Sequence, residues 1–387
     1  MKALMYGFAC SGASAAARLA ERGDEVVVVD RTLGNELDLT LLDGVDVLVK
    51  SPGVPGERPL VTIARERGVP VWSEVELGFR LLPDGTRLIG VTGTNGKTTT
   101  TELLGAVFRS AGRSVAVAGN VGTPLSSVRA ADWVVCELSS FQLEDVHTLA
   151  CDVAVLLNLE PDHLDRHGTF EAYRDAKLRI FERARAKIVP RGLGLDGTEF
   201  SADDPLPAEP LLRGAHNREN AAAAAAAARA AGIDEAAIAA ALRTFAGVPH
   251  RLEPVGEVAG VRFVNDSKAT NVAAARRALA AYADERVHLI LGGRAKGEDF
   301  APLATSLGEE VASVHLVGEA APELARVLPR AHDDGTIAHA VEHALAGARA
   351  GDVVLLSPAC ASYDQFENFE QRGDEFRRLV AELARRR

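Results

Sequence analysis

The stretch VTGTNGKTTT, Val91 to Thr100, decides the fold, because it joins an apolar segment, RLIGV at 87–91, to a run with helical character. A lone Gly-Lys-Thr turn is usually only a turn. Between a strand and a helix, however, glycines let backbone amides wrap phosphate oxygens at the positive helix end. Lys97 would reach the terminal phosphates, and the Thr98 hydroxyl would ligate Mg²⁺. The general pattern has a glycine where Val91 stands, so we predict a variant nucleotide-binding loop.

The rest of the chain repeats this alternation of short apolar strands and alanine-rich helices, which is typical of parallel α/β layers. The run Ala221–Ala228 is predicted to lie in an ordinary helix that Asn217 caps, and 190–214 is predicted to be a loop or weak strands. The apolar runs predict strands at Ala3–Tyr6, Glu25–Asp30, Val45–Lys50, Arg87–Thr92, Val115–Val117, Trp133–Leu138, Val153–Asn158, Val287–Leu291, Val314–Val317 and Val353–Ser357.

Two turn clusters divide the chain. Pro83-Asp84-Gly85 follows the first strands, and Gly247-Val248-Pro249 interrupts the pattern again before the last third. A length of 387 residues favours two or three domains over a single core. We therefore predict three domains, at 1–84, 85–247 and 248–387.

The composition is that of a globular protein, with 47% hydrophobic and 25% charged residues. The net charge is −11 without a long basic block, which argues against general binding to nucleic acid or to an anionic membrane. No apolar run approaches the ~20 residues that span a bilayer. The four cysteines lack metal-ligand spacing and are predicted to be buried free thiols in a reducing compartment. We expect a cytoplasmic protein.

Two predicted strands end in polar groups, and ligands gather at the carboxyl ends of parallel strands. WVVCELSSFQLE places Glu137 at such an edge, where a carboxylate near the phosphate loop would bind Mg²⁺; the alternative is a solvated strand end. VAVLLNLEPDHLDRH places His163 just beyond another strand. Asp162, Asp165 and His167 crowd the same turn, so the residues alone do not choose among them.

A lysine falls on the apolar face of a predicted helix. TFEAYRDAKLRIFERA begins with Thr169 as the predicted N-cap, and Tyr173, Lys177, Ile180 and Phe181 follow at i, i+4, i+7 and i+8. One interpretation is that the stem is buried while the ammonium reaches water. The other is that a desolvated amine beside a metal site has a depressed pKa and reacts with CO₂. The resulting anionic carbamate would bind Mg²⁺.

Polar clusters in the last third are unlike ordinary loops. Three of them begin at predicted strand ends and predict a substrate mouth that faces the phosphate loop. The clusters are PHRLE with Arg251, VNDSKATN with Asp266, Ser267, Lys268, Thr270 and Asn271, LGGRAKGEDF with Lys296, and SPACASYDQFENFEQRG with Ser362 and Phe369.

With these motifs assembled, the sequence resembles the Mur ligase family over nearly its whole length. The strings TGTNGKTT, GNVGTP, ELSSFQLE, DHLDRH, AKLRI, AHNREN, PHR, NDSKATN, GGRAKGEDF and SPACASYDQFENFEQRG occur in family order. NDSKATN and the last two strings are specific to the members that add D-glutamate to UDP-N-acetylmuramoyl-L-alanine. The DNP-type motif of the diaminopimelate- or lysine-adding members is absent from the sequence. The resemblance implies a Rossmann-like UDP-substrate domain, a central P-loop ATPase domain and a Rossmann-like amino-acid domain.

The resemblance also implies roles at matching positions. Lys97, Lys177 and His163 would be catalytic, with Lys177 as the carbamylated lysine of the family. Two Mg²⁺ ions are implied, and their ligands would be Thr98, Glu137, His163 and Lys177. The implied ATP-binding residues are Gly93, Thr94, Asn95, Gly96, Lys97, Thr98, Thr99, Asn217, Asn220, Arg251 and Asp266.

Substrate contacts are implied in the same way. The N-terminal glycine loop has Ala9 where a dinucleotide fold carries its middle glycine, so it predicts NAD binding only weakly. The resemblance assigns the loop to the UDP diphosphate instead. The implied UDP-substrate residues are Cys10, Ser11, Gly12, Asp30, Arg31, Ser51 and Asn120, and the implied D-glutamate residues are Lys268, Thr270, Lys296, Ser362 and Phe369.

The implied reaction is amide ligation in the synthesis of peptidoglycan precursors, by a monomer. ATP would phosphorylate the alanyl carboxylate, and the D-glutamate amine would attack the acyl phosphate while domain closure excludes water. One alternative is another ligase of the superfamily, such as the alanine-adding Mur enzyme or folylpolyglutamate synthase. A different class would be a nucleotide-dependent binding or regulatory protein without ligase activity. A simple phosphate-loop kinase would leave the last domain without a purpose.

Overall fold

The computed structural model describes residues 1–212, 214–295 and 297–386. The chain forms two compact units, Met1–Phe245 and Ala246–Arg387, and helices alternate with strands in both. The first unit holds a four-stranded and a six-stranded sheet, and the second unit holds another six-stranded sheet. The predicted α/β class is therefore confirmed, whereas the exact limits of the three domains stay a prediction.

The N-terminal sheet is entirely parallel. Its strands are β1 Lys2–Tyr6, β2 Glu25–Val29, β3 Val47–Lys50 and β4 Val71–Ser73. Its helices are α1 Cys10–Glu21, α2 Pro59–Glu66 and α3 Glu74–Arg80, with short 3₁₀ turns at Arg31–Leu33 and Leu39–Leu42. The strand order is β2-β1-β3-β4. Successive residues of β1 face opposite sides, so Leu4 packs in one core and Met5 in the other.

The central sheet, also parallel, carries the phosphate loop near its middle. Its strands are β5 Arg87–Thr92, β6 Val115–Gly119, β7 Trp133–Glu137, β8 Val153–Leu156, β9 Ala186–Pro190 and β10 Thr198–Phe200. Its helices are α4 Lys97–Ser110, α5 Ser140–Leu143, α6 Leu164–His167, α7 Phe170–Leu178, α8 Ala215–Ala230 and α9 Glu235–Thr244. The order β10-β9-β8-β5-β7-β6 places β5 between β8 and β7. The carboxyl ends of these three strands therefore meet at one edge.

Helix α8 packs closely on its neighbours because its buried face consists of alanine. The buried alanines of 221–228 share one core with Leu104 and Phe108 of α4. Small side chains let two helices approach closely. The predicted cap was wrong: Gly214 is the N-cap of α8, with φ of +99°, and Asn217 lies inside the first turn.

A buried carboxylate on α3 connects the N-terminal sheet to the segment that follows α5 within the first unit. Glu76 of α3 is fully buried, and its carboxylate accepts hydrogen bonds from the backbone amides of His147, Thr148 and Leu149 at 2.9, 3.0 and 3.0 Å. Arg80 donates to the same carboxylate at 2.7 Å. Because ionised acceptors form the stronger hydrogen bonds, this contact fixes α3 against the central sheet.

The sheet of the second unit is parallel except at one edge. Its strands are β11 Glu253–Val258, β12 Val261–Asn265, β13 Val287–Gly292, β14 Val311–Val317, β15 His332–Gly335 and β16 Val353–Ala359. Its helices are α10 Val272–Ala280, α11 Ala301–Ala304, α12 Ala321–Val327, α13 Ile337–Gly347 and α14 Phe369–Arg386. The order is β11-β12-β16-β13-β14-β15, with β11 antiparallel to β12. The strands β12, β16 and β13 are thus neighbours.

All ten strands predicted from apolar runs are present, with ends that differ by a few residues. Six of the described strands lie outside these ten runs: β4, β10, β11 and β15 at sheet edges, and the inner strands β9 and β12. Of these, β10 falls within 190–214, where weak strands were one of the two expectations. Edge strands bury less surface and can contain polar residues, so they lack an apolar run.

The prediction of buried thiols was wrong for one cysteine. Cys136, Cys151 and Cys360 are buried free thiols, but Cys10 is exposed. Cys10 is the first residue of α1 and follows the N-terminal glycine loop at the surface. In the part of the chain that the structure describes, no helix has both the length and the apolar character that crossing a membrane requires.

Candidate active site

The phosphate loop turns tightly between β5 and α4. Its glycines Gly93 and Gly96 have φ of +154° and +80°, and Gly96 is the N-cap of α4. A Cβ on Gly96 would lie only 2.2 Å from Oδ1 of Asn220, so this side chain of α8 packs directly on the loop. Asn217 lies one helical turn earlier on the same helix. The structure thus brings together predicted ATP-binding residues from two distant segments, and only glycine fits at position 96.

Side chains that follow β8 hold the backbone of the loop. Asn158 accepts a hydrogen bond from the amide of Asn95 at 2.8 Å, and Glu160 accepts one from the Asn95 side chain at 2.9 Å. The hydroxyls of Thr94 and Tyr173 lie 2.9 Å apart. Asn158 and Glu160 were not among the predicted site residues. The available signal was a polar residue at the end of the strand VAVLLN, next to the phosphate-loop strand.

The loop lysine folds over its own turn. Lys97 Nζ donates hydrogen bonds to the carbonyls of Gly93 and Thr94 at 3.0 and 2.9 Å. Thr98 and Thr99 follow in the first turn of α4 and are buried. The cationic group therefore stays close to the backbone amides of the loop, where a bound phosphate would need it.

Glu137 ends β7 directly beside the phosphate-loop strand, since it is paired in register with Val91. Its side chain is buried, and its Oε1 accepts a hydrogen bond from Asn120 Nδ2 at 2.9 Å. The Oε2 atom is also buried and accepts no hydrogen bond from any described residue. Burying a carboxylate oxygen without a hydrogen-bond donor costs free energy. Coordination of a divalent cation by this oxygen would offset that cost.

The two histidines of the DHLDRH turn differ in their environment. The His163 side chain is 49% exposed, has a left-handed backbone with φ of +52°, and lies 4.8 Å from the Phe141 ring. The His167 side chain is only 3% exposed, and its ring nitrogens lie 3.0 Å from Ser140 Oγ and 3.3 Å from Glu144 Oε1. His163 is therefore the more accessible ligand of the two. The Asp165 side chain lies outside the described part of the structure.

Lys177 is buried on the apolar face of α7, and its ammonium group points at the phosphate loop. Its Nζ donates to the carbonyl of Gly93 at 2.7 Å and lies 4.7 Å from the Tyr173 ring centroid. Burial, with the neighbouring charge of Lys97, lowers the pKa of Lys177 to about 7. The ammonium does not reach water, which disagrees with the first interpretation of this residue. The predicted N-cap of α7, Thr169, is confirmed.

The described residues contain no group of three or more His, Cys, Asp or Glu side chains that would bind a metal ion by themselves. Glu137 and His163 lie in the same unit as Thr98 of the loop. A divalent cation at Glu137 would thus need hydroxyl, phosphate or water oxygens, or a further anion, to complete its shell. These are the donors that Mg²⁺ usually retains, so the residues present fit this ion.

The N-terminal glycine loop is closed by contacts that require glycine. A Cβ on Gly12 would lie 1.9 Å from the carbonyl oxygen of Gly7, which itself has φ of +88°. Ser51 donates to that same carbonyl at 2.7 Å. Asp30 accepts a hydrogen bond from the amide of Phe8 at 2.7 Å. Two residues predicted to bind the UDP-substrate, Asp30 and Ser51, are therefore attached to the loop.

The remaining residues of this predicted group surround the same edge or lie on the central sheet. Cys10 and Ser11 open α1, and Arg31 is exposed directly after Asp30. Asn120 is bonded to Glu137 on the central sheet.

In the second unit, Asp266 is buried just beyond the end of β12. Its Oδ2 accepts a hydrogen bond from Ser357 Oγ at 2.8 Å, and its Oδ1 accepts one from the Leu252 amide at 3.2 Å. Burial raises the pKa of Asp266 to about 7, and the positive charge of Arg251 acts in the opposite direction. The two predicted nucleotide residues of this unit thus share one neighbourhood.

The predicted D-glutamate residues lie at the carboxyl ends of neighbouring strands. Lys268 and Thr270 follow β12, Ser362 follows β16 and is buried, and Phe369 begins α14. Lys268 Nζ lies 5.8 Å from the centroid of the Phe369 ring, within cation–π range. Lys296, the fifth residue of this prediction, lies outside the described residues.

Two family models and several curated relatives match this chain. The Mur ligase middle domain matches residues 91–191, and the Mur ligase, glutamate ligase domain matches 250–360. The UDP-N-acetylmuramoylalanine–D-glutamate ligase of Myxococcus xanthus is 41% identical over 99% of this chain and 98% of its own. The ligase of the same name from Desulfitobacterium hafniense is 41% identical over 98% and 97%.

Solved structures share the fold at low identity. The UDP-N-acetylmuramate-alanine ligase MurC of Thermotoga maritima superposes with a TM-score of 0.62 at 19% identity, covering 99% of both chains. E. coli FolC in complex with DHPP and ADP gives 0.59 at 21% identity, over 80% of this chain and 92% of FolC. The predicted three-domain architecture is thereby confirmed at the level of fold.

Proposed function

We propose, from the premise that this chain belongs to the Mur ligase family and to its D-glutamate-adding branch, that it joins D-glutamate to UDP-N-acetylmuramoyl-L-alanine at the expense of ATP. The substrates are those in the names of relatives that share 41% of its residues. The observation that carries the proposal is the arrangement of Lys97, Glu137 and Lys177 around the phosphate loop. This is the place where a phosphoryl group would be transferred.

The reaction requires an electrophilic carboxyl group and an amine. ATP transfers its γ-phosphoryl group to the alanyl carboxylate, which yields ADP and an acyl phosphate. The D-glutamate amine attacks the acyl carbon, and the tetrahedral intermediate expels phosphate as the amide forms and the nitrogen loses a proton. Lys97 neutralises charge on the moving phosphoryl group, and a preformed charge of this kind supplies a large share of catalysis.

Thr98, Glu137 and His163 are the protein groups that would hold Mg²⁺, together with a modified Lys177. The buried Oε2 of Glu137 supports this assignment because it accepts no hydrogen bond from the described residues. When bound, the ion would neutralise phosphate charge and orient phosphate oxygens. Asn120 holds the other oxygen of Glu137 and thereby fixes the direction of the free one.

Lys177 would complete the metal site as a carbamate. Its neutral amine attacks CO₂, forming an N–C bond and releasing one proton. A pKa of about 7 leaves roughly half of the amine neutral at pH 7, against about 0.03% for an ordinary lysine. The bond from its Nζ to the Gly93 carbonyl supports the location, because the carbamate would then lie beside the phosphates.

Further ligand contacts are proposed for residues of the second unit. Arg251 and Asp266 are proposed for the nucleotide. Lys268 is proposed for a carboxylate of D-glutamate, and its distance to Phe369 supports one shared pocket. Thr270, Ser362 and Lys296 complete the proposed D-glutamate contacts.

The proposal includes a cytoplasmic monomer. Its ATP and nucleotide-sugar substrates are cytoplasmic metabolites, and the acidic net charge of −11 gives no reason for attachment to nucleic acid or to an anionic membrane. Size-exclusion chromatography with light scattering tests the oligomeric state: a mass near 40.9 kDa is expected, and twice that mass would contradict it.

The first experiment measures phosphate release from ATP and Mg²⁺ with UDP-N-acetylmuramoyl-L-alanine. D-Glutamate, L-glutamate, L-alanine and diaminopimelate are added separately. Turnover with D-glutamate alone is expected. Turnover with another amino acid would keep the ligase and overturn the assignment of the pocket, whereas no turnover with all four would favour the non-catalytic alternative.

A variant of the loop lysine tests the site directly. Lys97→Ala should abolish turnover while the protein still folds, because the shape of the loop also depends on its glycines and on the hydrogen bond from the Asn95 amide to Asn158. Lys187→Ala is the matched control, since Lys187 lies in the same unit and pairs with Asp196 at the surface. Retained activity of Lys97→Ala would overturn the assignment of the phosphate loop.

A further inference from the structure

Arg372 is a buried arginine that the roles assigned above do not use. Only 1% of it is exposed, although it lies on α14, one turn after Phe369. Long charged side chains are almost never fully buried unless something pairs with them. The hydrogen-bond partners of Arg372 therefore indicate its role.

The guanidinium group of Arg372 binds only neutral oxygen atoms in its hydrogen bonds. It donates to Oγ and the carbonyl of Ser267 at 2.9 and 2.8 Å. It also donates to the carbonyl of Cys360 at 3.1 Å from both terminal nitrogens, to that of Ala361 at 3.2 Å, and to that of Gly292 at 3.4 Å. No carboxylate is among these hydrogen-bond acceptors, and the carboxylate of Asp364 acts on the charge of the guanidinium group from a longer distance.

The acceptors of Arg372 belong to three neighbouring strands. Ser267 follows β12, Gly292 ends β13, and Cys360 and Ala361 follow β16. The rigid fork of five donors suits one guanidinium group for joining several carbonyls at fixed angles, which a lysine does not do. Arg372 therefore holds the carboxyl ends of three strands at one point.

The joined segments are those that carry the proposed D-glutamate residues. Lys268 is next to Ser267, and Ser362 is next to Ala361. Ser267 Oγ also donates to the carbonyl of Phe369 at 2.8 Å, so it connects the arginine to the start of α14. A displacement of about 1 Å in a substrate-positioning group is enough to reduce rate by ~10²-fold.

We propose that Arg372 is a positioning residue for the amino-acid substrate, which sets the spacing of the loops around D-glutamate and adds a buried positive charge beneath them. The inference rests on the proposed function and deepens it. D-Glutamate carries two carboxylates, so a buried cation whose hydrogen-bond acceptors are all neutral oxygens favours it over a neutral amino acid of similar size.

The surroundings agree with a role in geometry. A Cβ on Gly293 would lie 3.0 Å from Arg372 Nη1 and 2.1 Å from the carbonyl oxygen of Ala361. The absence of a side chain at position 293 thus makes space for the guanidinium group and for this carbonyl. Arg294 and Ala361 exchange two backbone hydrogen bonds of 2.8 and 3.0 Å, which extend the same junction. The segments around Arg372 are thus pinned by backbone bonds as well as by the guanidinium group.

The test is steady-state kinetics of phosphate release, with each of the three substrates varied in turn. Arg372→Lys keeps the charge but loses the fork, and Ser267→Ala removes the hydroxyl that connects Arg372 to Phe369. Arg378→Lys is the matched control, because Arg378 lies on the same helix and pairs with Glu375 at the surface. Thermal melting of every variant runs in parallel.

Arg372→Lys should raise KM for D-glutamate by ~10–100-fold, and Ser267→Ala by ~3–10-fold, since misplaced groups lose binding by such factors. KM for ATP and for the UDP-sugar should change by less than ~3-fold. A uniform rise of all three KM values, or an unchanged KM for D-glutamate in Ser267→Ala, would overturn the inference. If Arg372→Lys does not fold, Ser267→Ala decides alone. A wild-type enzyme inactive with D-glutamate would instead reject the proposed function itself.

Discussion

Replacing Lys177 with methionine should stabilise the protein while it abolishes activity. Methionine has a similar length and no charge, so it removes the buried ammonium and keeps most of the packing on α7. Burial of Lys177 and the charge of Lys97 make the ammonium form unfavourable in the folded state. Functional groups of this kind are held at the expense of stability.

The magnitude follows from the pKa. A value of about 7 in the folded protein, against 10.5 for ordinary lysine, corresponds to a cost of about 4–5 kcal/mol for the charged group at pH below 7. Methionine also loses the hydrogen bond to Gly93, which is worth ~1–2 kcal/mol. The expected net gain in unfolding free energy is therefore ~2–4 kcal/mol at pH 6.

The sign of the pH dependence is fixed by linkage. The folded pKa lies below the unfolded one, so the wild type bears the full cost below pH 7 and none above pH 10.5. The advantage of Lys177→Met should thus shrink by ~3 kcal/mol between about pH 6 and pH 9.5.

The assay is urea unfolding of both proteins in CO₂-free buffer with a chelator, at these two pH values. Lys187→Met, a surface lysine paired with Asp196, should change stability by less than ~0.5 kcal/mol. Adding bicarbonate should stabilise the wild type and leave Lys177→Met unchanged. Activity of Lys177→Ala should be partly restored by short carboxylic acids. A methionine variant less stable than wild type at both pH values would refute the reasoning.

Three further predictions concern other parts of the chain. Gly96→Ala should destabilise the protein by ~1–2 kcal/mol and weaken ADP binding in calorimetry, because its Cβ would lie 2.2 Å from Asn220 Oδ1 at φ of +80°; unchanged binding would contradict the packing. Glu137→Gln should lower turnover by ~10²-fold and move the Mg²⁺ midpoint higher, since an amide is a weaker ligand; an unshifted Mg²⁺ titration would argue against a metal at Glu137. Burial lowers the pKa of His315 below 6.5, so calorimetry should show unfolding temperature falling as pH drops below 6.5, and less so in His315→Gln.

The sequence predicted the site best where short-range pattern and chemistry coincide. The phosphate loop needs glycines, a lysine and a helix start within ten residues, so VTGTNGKTTT indicates its own structure. Lys177 on the apolar face followed from helical spacing alone, and the structure shows it buried. The N-cap Thr169 and the strand end at Glu137 are equally local features.

Other features depend on segments far apart in the chain. Arg372 is an unremarkable residue of an amphipathic helix until its acceptors on three strands come together. From sequence alone, the carboxylate of Glu76 would be expected to be a surface charge on α3. In the structure it accepts hydrogen bonds from backbone amides about 70 residues away in the chain. No periodicity or motif encodes such contacts, because they depend on the relative placement of whole elements.

The sequence by itself therefore determined the fold class, the nucleotide loop and the family, because local residue patterns and matching motifs indicate each of them. Only the tertiary structure decided that Asn220 packs on Gly96, that Cys10 is exposed, and that Glu137 keeps a buried oxygen without a hydrogen-bond donor among the described residues. The physical reason is that burial and hydrogen-bond satisfaction are properties of the packed chain. They arise only when sheet edges and helix faces pack together. The sequence pattern specifies the helices and strands, but it does not specify which atoms of other elements each of them contacts.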